Sequence, residues 1–337
     1  MNMTFDRIIK TGIALAGGLF LFLVFTKGTG HFNNTVRKTT SIQPHNVSES
    51  DYNVTVIYGD DDRQDYNQVS DSGRKKLAES TVALFKADQV KVKDGKANLS
   101  TSNFGESYNL CPDEPFRDQP SGAFCSGSLV GPNTVMTAGH CVTNDAACTN
   151  TKFVFGFTIT SPGANPTSVA SNEVYGCARL VARKQENAGA DFAIIELDRA
   201  VANHTPLKVN RTGNVSNKAP VFVIGHPAGL PTKVADGANV RDASPSGFFV
   251  ANLDTYGGNS GSAVFNAVTG EIEGILVRGE TDFVYDNERQ CRKSNRVSND
   301  AGRGEDVTKV SEVTQYIPKT VKGGNLLKSL GEIKSPF

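Results

Sequence analysis

From Val56 onward, short apolar runs alternate with clusters of Gly, Pro, Asn and Asp. The runs are rich in β-branched and aromatic residues, which favour strands. They occupy residues 80–85, 124–130, 152–160, 192–197, 220–224, 248–253, 262–265 and 271–277. Many short strands separated by turns are typical of an antiparallel barrel or sandwich. One helix is predicted near the C-terminus, where Val307, Val310, Val313 and Ile317 recur at three- and four-residue steps.

An uncharged apolar stretch, residues 11–26, precedes this region and is flanked by basic side chains. As a helix it would reach about 24 Å, which is less than the roughly 30 Å hydrocarbon core of a bilayer. We therefore predict a cleaved signal peptide over residues 1–27, with an uncleaved membrane anchor as the alternative, because no clear cleavage site follows. Residues 28–55 are polar and predict a linker or propeptide.

The charges of the 337 residues balance, with 35 basic and 35 acidic side chains. Recognition of phosphate normally shows as a basic surplus, so this balance argues against a nucleic-acid binder. The length allows either two ordinary units or one larger β fold. The six cysteines are an even number, which suits structural disulfides in an exported chain.

Three stretches carry residues suited to nucleophilic chemistry, and the first surrounds His140. Cys141 follows this histidine directly, and Cys125 lies sixteen positions upstream of Cys141. A bridge between the two cysteines would clamp the loop and hold the imidazole, as a general base requires.

The other two stretches surround Asp191 and Ser260. Asp191 opens an apolar run, so its carboxylate needs a partner in the core. An imidazole N–H is a suitable partner and would fix the tautomer of His140. Glycines flank Ser260 just before a strand, and they permit backbone angles that turn successive N–H groups toward an anion.

Together these stretches resemble the chymotrypsin-like serine protease family. The matching sequences are TAGHC at 137–141, DFAII at 191–195 and GNSGS at 258–262, in the order His, Asp, Ser along the chain. The resemblance covers about residues 56–320. It implies an all-β fold of two antiparallel six-stranded β-barrels, at about 76–205 and 206–320, with a C-terminal helix, and it leaves 321–337 as a tail.

The resemblance also implies the chemical roles of the site residues. Ser260 would be the nucleophile, His140 the general base and then acid, and Asp191 the orienting carboxylate. The N–H groups of Gly258 and Ser260 would form the oxyanion hole. The edge strand that binds the substrate backbone would include Val277 and Gly279.

The sequence departs from the digestive members of the family, which have Asp directly before the nucleophile where this chain has Asn259. The activating ion pair with a new N-terminus should therefore be absent. GGNSG at 257–261 and the stretch 56–63 resemble instead the bacterial glutamyl endopeptidase branch and its mature start. We hypothesise propeptide removal near Thr55 or Val56.

The specificity pocket departs from that branch too, although Thr255 fits it. The branch relies on a histidine for glutamate recognition, and Ile275 and Leu276 stand at the corresponding positions. Asp254 lies six residues before the nucleophile, where a charge sets basic preference in trypsin-like members, and Glu305 could face the same pocket. The hypothesis is cleavage after Arg or Lys. The alternative is that Asp254 turns away into a loop hydrogen bond.

The remaining cysteines leave their pairing open. Cys148 and Cys177 flank stretches predicted to be neighbours, and Cys111 and Cys291 remain. No close Cys/His spacing indicates a metal, no phosphate-binding loop indicates a nucleotide, and we expect no cofactor. His226 is interpreted as structural.

The expected function is a secreted or periplasmic serine endopeptidase that acts as a monomer on polypeptide substrates. Two alternatives stay open. One is a catalytically silent, exported binding module on the same fold, and the other is a membrane-tethered quality-control protease. An intact triad argues against the first. The residues after Ser260 are needed to finish the barrel, and this argues against an appended peptide-binding domain.

Overall fold

The computed structural model describes residues 57–279 and 282–319. The predicted signal peptide or anchor (1–27), the linker (28–55) and the tail (321–337) lie outside these residues. Within the described ranges, no helix is long and apolar enough to cross a bilayer.

The described residues form twenty-two strands and three short helices. The strands are β1 (Ile57–Tyr58), β2 (Arg63–Asp65), β3 (Thr81–Lys86), β4 (Val90–Lys93), β5 (Lys96–Leu99), β6 (Ser102–Asn103), β7 (Pro120–Ser121), β8 (Cys125–Gly131), β9 (Thr134–Thr137), β10 (Thr151–Val154), β11 (Ser168–Ala170), β12 (Val174–Gln185), β13 (Asp191–Leu197), β14 (Pro220–Gly225), β15 (Lys233–Asp242), β16 (Phe248–Ala251), β17 (Ala263–Asn266), β18 (Ile272–Arg278), β19 (Phe283–Asp286), β20 (Cys291–Ser294), β21 (Arg296–Val297) and β22 (Glu305–Lys309). The helices are α1 (Ser72–Ala78), α2 (Phe104–Tyr108) and α3 (Asp145–Thr149).

The first barrel is closed by six antiparallel strands in the order β10-β12-β13-β9-β8-β3. Its strands are continuously apolar where both of their faces are covered. In β3, Val82 and Leu84 pack in the main core while Ala83 and Phe85 pack in a second cluster beneath β5 and β11. Such two-sided burial explains why these strands read as unbroken hydrophobic runs.

The second barrel follows the order β14-β17-β18-β22-β16-β15 and closes through pairing of β14 with β15. The short strand β2 adds to the outside of β15. The core contains Phe249, Leu253, Val264 and Val307, all fully buried. The expected fold of two six-stranded antiparallel barrels is confirmed.

The structure corrects the expected C-terminal helix. Val307 lies in β22, which pairs with both β16 and β18. Between β22 and residue 319, the last that the structure describes, lie two 3₁₀ turns, Val310–Glu312 and Thr314–Tyr316, and no longer helix. Val310, Val313 and Ile317 are buried, so their spacing reflects packing against the core and not a continuous helix.

Two further polar regions differ from expectation. Residues 282–306 are polar and carry a charge cluster, and this composition predicts a largely solvated loop. The region instead contains the hairpin β19–β20, and β21 pairs in parallel with β1. The long strands β12 and β15 carry many exposed or half-exposed polar side chains, so they lack the apolar signal of their neighbours.

All six cysteines are paired in the structure, as Cys125–Cys141, Cys148–Cys177 and Cys111–Cys291. The expected bridge beside His140 is present. The other two pairings, which the sequence leaves open, tie α3 to β12 and the segment before β7 to the hairpin β19–β20.

Candidate active site

The imidazole of His140 is paired with the carboxylate of Asp191. His140 lies just after β9, and Asp191 is the first residue of β13, so the pairing of these two strands brings both residues to one end of the barrel. His140 Nδ1 lies 2.8 Å from Asp191 Oδ2. This contact assigns the proton to Nδ1 and leaves Nε2 free to accept another.

The other oxygen of Asp191 is occupied as well. Asp191 Oδ1 accepts hydrogen bonds from the N–H groups of Gly139, at 2.6 Å, and His140, at 3.1 Å. The side chain of Asp191 is only 4% exposed, and a buried carboxylate needs such donors. A side chain at position 139 would collide with the carbonyl of Lys184, so glycine is required there.

The second barrel fixes the backbone of Asp191. Thr308 in β22 accepts a hydrogen bond from Asp191 N–H at 2.9 Å, and its hydroxyl donates to the Asp191 carbonyl at 3.0 Å. Both barrels therefore position the histidine-carboxylate pair.

Ser260 lies in the loop between β16 and β17, next to β8 and to the loop that carries His140. Its carbonyl accepts from Ser126 N–H at 2.8 Å and lies 3.7 Å from Cys141 Sγ. Among the described residues, Ser260 and His140 form no side-chain hydrogen bond. In free enzymes such bonds are often long and shorten only when substrate binds.

The backbone around Ser260 leaves two N–H groups uncommitted. The carbonyls of residues 257–260 accept from Ala228 N at 2.5 Å, Ser126 Oγ at 2.9 Å, Ser262 N at 2.8 Å and Ser126 N at 2.8 Å, respectively. The N–H groups of residues 257, 259 and 261 donate to Asp282 Oδ2, Tyr256 O and Leu276 O. In the described part of the chain, Gly258 and Ser260 N–H have no acceptor. Two uncommitted N–H groups beside a serine are suited to bind an oxyanion.

Glycine is required on both sides of Ser260. Gly258 and Gly261 both have φ of +91°, in the region that side chains rarely adopt. A Cβ at Gly258 would lie 2.8 Å from Gly229 N, and one at Gly261 would collide with the Ser126 carbonyl.

Asn259 and His226 are both structural. Asn259 is 3% exposed, and its Oδ1 accepts from Ser262 Oγ at 3.2 Å. His226 is 1% exposed and its Nδ1 lies 2.9 Å from the Leu230 carbonyl. Burial lowers the pKa of His226 to about 4, which keeps the ring neutral.

A cavity of about 140 Å³ opens beside Ser260. Thr255, Val277 and Gly279, which the resemblance assigns to substrate binding, are among the residues that line it. Two acidic residues, Asp282 and Glu305, and one cation, Arg278, also belong to the lining, together with Tyr256, Gly257 and Leu276.

Glu305 is the more deeply buried acid of the cavity. Its side chain is held by Thr255, yet its buried Oε1 has no hydrogen-bond partner among the described residues. Burial, reinforced by the nearby Asp282, raises the pKa of Glu305 well above its usual range. A Cβ at Gly279 would overlap Glu305 Oε2, so glycine leaves room for this acid.

Asp282 was missed by sequence reasoning because it lies in the stretch interpreted as a solvated loop. Its Oδ2 accepts from Gly257 N–H at 2.8 Å, which ties it to the loop that carries Ser260. Burial raises the pKa of Asp282 to about 6. Its position shortly after the predicted substrate-binding strand, β18, is the signal that could have identified it.

Asp254 is not in the cavity, and here the sequence-based expectation is wrong. Its Oδ1 accepts from Tyr58 N–H at 2.7 Å and its Oδ2 from Asp62 N–H at 3.0 Å. The carboxyl group faces the N-terminal segment and not the cavity. Burial raises the pKa of Asp254 to about 7.

The same N-terminal segment supports the cavity wall from behind. The guanidinium of Arg63 is fully buried, lies 3.9 Å from the ring centroid of Tyr256 and donates to its hydroxyl at 2.8 Å. Tyr256 lines the cavity, so residues 57–63 brace its wall.

The described residues hold one cluster of potential metal ligands, formed by Cys125, His140 and Cys141. The sulfur atoms of both cysteines are joined in a disulfide and cannot act as thiolates. This donor set does not fit a metal.

Residues 125–275 match the model of the trypsin-like peptidase domain. The chain is 29% identical over 149 residues to a glutamyl endopeptidase of Bacillus licheniformis, and this covers 42% of the chain and 45% of the relative. It is 30% identical over 150 residues to an extracellular metalloprotease of Bacillus subtilis, with the same coverage. The chain thus spans less than half the length of the curated relatives it matches.

Two solved structures are similar to this chain. The alignment with the VesB protease of Vibrio cholerae has a TM-score of 0.44 and 16% sequence identity, and it covers 78% of this chain and 66% of the VesB chain. The alignment with a Glu endopeptidase has a TM-score of 0.40 and 19% sequence identity, and it covers 72% of this chain and 94% of the endopeptidase chain. The part of the chain that matches the trypsin-like peptidase model, residues 125–275, contains His140, Asp191 and Ser260.

Proposed function

We propose that this protein is an exported serine endopeptidase. The observation that carries the proposal is the backbone of residues 257–261, in which every carbonyl from 257 to 260 is bonded while Gly258 and Ser260 N–H stay uncommitted among the described residues. This loop lies beside a histidine that is already paired with a buried carboxylate.

The proposed reaction is hydrolysis of a peptide bond through an acyl-enzyme. Ser260 Oγ attacks the scissile carbonyl while His140 Nε2 takes its proton. The oxyanion forms within reach of the Gly258 and Ser260 N–H groups, and the proton then passes to the departing amine. Water, activated by the same histidine, releases the acyl group and restores Ser260. No cofactor is needed for these steps.

The specificity proposal is cleavage after Arg or Lys, with Glu305 as the main determinant in place of Asp254. Glu305 Oε1 is buried in the cavity wall without a partner, and Asp282 adds a second acid. An incoming cation would relieve the cost of ionising both groups. An incoming glutamate would add a third acid, and the buried side chains of Ile275 and Leu276 offer it no cation. The one cation of the lining, Arg278, is already bound to Asp306 and to two backbone carbonyls.

Export and processing belong to the same proposal. Three disulfides fit an oxidising compartment outside the cytoplasm. Ile57 is fully buried, so cleavage of the leader in the folded protein must occur before it. This agrees with processing near Thr55 or Val56.

Cleavage-site profiling on denatured proteins tests activity and specificity together. The wild type is expected to cut mainly after Arg and Lys, and Ser260→Ala is expected to cut nowhere. Absence of cleavage by the correctly processed wild type would contradict the endopeptidase proposal. Cleavage without a preference for Arg or Lys would contradict only the specificity.

A further inference from the structure

Ser126 is the second residue of β8 and is fully buried beneath residues 257–261, the loop that carries Ser260. Its hydroxyl accepts from His226 N–H at 2.9 Å and donates to the Gly258 carbonyl at 2.9 Å. Its own N–H donates to the Ser260 carbonyl at 2.8 Å. One side chain and one N–H group thus hold the carbonyls of Gly258 and Ser260, the residues on either side of Asn259.

The two peptide groups that flank Gly258 are both fixed, and Ser126 is involved on each side. The preceding carbonyl, Gly257 O, accepts from Ala228 N. The following carbonyl, Gly258 O, accepts from the Ser126 hydroxyl. Ala228 belongs to the turn that begins at His226, whose N–H is bound by that hydroxyl. The Ser126 hydroxyl therefore connects the contact at Gly257 O with the contact at Gly258 O, and these two contacts together clamp the backbone of Gly258.

This clamp matters because Gly258 has no side chain to restrict its backbone. Glycine adopts positive and negative φ with similar ease, so its φ of +91° depends on the hydrogen bonds of its neighbours. Rotation of the peptide between residues 257 and 258 would turn the Gly258 N–H away from the site. An oxyanion hole whose N–H groups are not held in place before the reaction stabilises the transition state less.

We propose that Ser126 is a positioning residue that keeps the Gly258 N–H directed at the oxyanion. This inference rests on the proposed peptidase function. Ser126 would not touch the substrate, and its loss would weaken binding of the transition state more than binding of the substrate.

The chain offers a matched control in Ser128. It lies two residues further along β8, on the same face of the strand, and is also fully buried. Its hydroxyl has no hydrogen-bond partner among the described residues. Ser128→Ala therefore removes the same group from the same strand without touching the clamp.

The test compares Ser126→Ala with Ser128→Ala in the processed protein, using the best peptide from profiling and a peptide boronic acid that mimics the tetrahedral intermediate. Ser126→Ala is expected to lower kcat about tenfold, with KM within about twofold, and to weaken the boronate by a similar factor. Ser128→Ala should match the wild type, and Ser126→Thr, which keeps the hydroxyl, should recover most of kcat.

Equal kcat for the two alanine variants, or a change in KM alone, would overturn the inference. If Ser126→Ala cannot be purified in folded form, Ser126→Gly removes the same hydroxyl and is judged by the same criteria. A wild type that neither cleaves peptides nor binds the boronate would instead overturn the proposed function.

Discussion

The carboxylate of Asp254 accepts a hydrogen bond from Tyr58 N–H at 2.7 Å, across 196 positions of the chain. An acid six residues before Ser260 is expected to line the specificity pocket. Asp254 instead binds the N-terminal segment. Glu305 and Asp282 line the cavity instead. The acids of this region therefore divide into one that supports the fold and two that face the proposed substrate.

Substitution of the two buried acids should separate these roles. Glu305→Gln is expected to lower kcat/KM for P1 Arg peptides by at least tenfold relative to P1 Leu peptides, because the cavity loses its buried acceptor of positive charge. Asp254→Asn should leave that ratio unchanged but lower the free energy of unfolding by about 1–3 kcal/mol, because an amide cannot accept from both N–H groups. Peptide kinetics and urea unfolding measure the two effects. A loss of Arg preference in Asp254→Asn alone would contradict the assignment.

The preference for a cationic substrate should increase with pH. The pKa of Asp282 is raised to about 6, so this group is neutral well below pH 6 and charged well above it. The ratio of kcat/KM for P1 Arg peptides to that for P1 Gln peptides should therefore rise between about pH 5 and 7, and taking the ratio cancels pH effects that both substrates share. Asp282→Asn should abolish this rise, whereas the exposed Asp300→Asn should keep it. A flat ratio in the wild type would contradict the role of Asp282.

Removal of the Cys125–Cys141 disulfide should affect both stability and activity. Its sequence separation is 16 residues, and closing a loop of this length contributes about 3 kcal/mol in the chain-entropy model. The double Cys→Ser variant should also lose kcat, because the bridge lies beside His140. The Cys148–Cys177 bridge, with a separation of 29 residues, provides the control. Its removal should cost similar stability but leave kcat within about twofold, and equal losses of kcat would show that the first bridge has no special role.

Asp191→Asn should lower kcat by about 10⁴ with little change in KM, since the amide would favour the wrong tautomer of His140. Initial rates of cleavage of a single peptide, measured over a range of peptide concentrations, give kcat and KM. Asp198→Asn, a surface acid at the end of the same strand, should retain wild-type kinetics. A loss below about tenfold in Asp191→Asn would mean that the 2.8 Å contact with His140 does not serve catalysis.

The mature protein should begin near residue 55 or 56. Ile57 is fully buried and pairs with β21, so a start inside β1 would remove part of the fold. Intact-mass measurement of secreted protein gives the start directly. A mature protein that begins at residues 28–32 would contradict propeptide removal at this point.

The features predicted well from sequence are those encoded by local pattern. Apolar runs located the strands around Val82, Ile194 and Val264, whose side chains are fully buried. Glycine at positions 258 and 261 indicated a loop with unusual backbone angles, and both residues have positive φ. The resemblance to a known family supplied the arrangement of two barrels.

The features that sequence reasoning missed depend on long-range contacts. The direction of Asp254 follows from Tyr58 and Asp62, which lie almost 200 residues away. The position of Asp282 depends on the hairpin β19–β20, which follows β18. The polar composition of that segment gives no strand signal. The spacing of Val310 and Val313 matched a helix because buried residues of successive 3₁₀ turns recur at a similar interval.

Covalent labelling by a fluorophosphonate tests the central claim most directly, because the reagent reacts only with a serine that a neighbouring base activates. We predict one adduct per molecule of processed protein, located at Ser260 by peptide mass spectrometry and absent from Ser260→Ala. Labelling should be strongly reduced in a His140→Ala variant. Absence of an adduct on the folded wild type, or an adduct that persists in Ser260→Ala, would contradict the account and favour a catalytically silent protein on this fold.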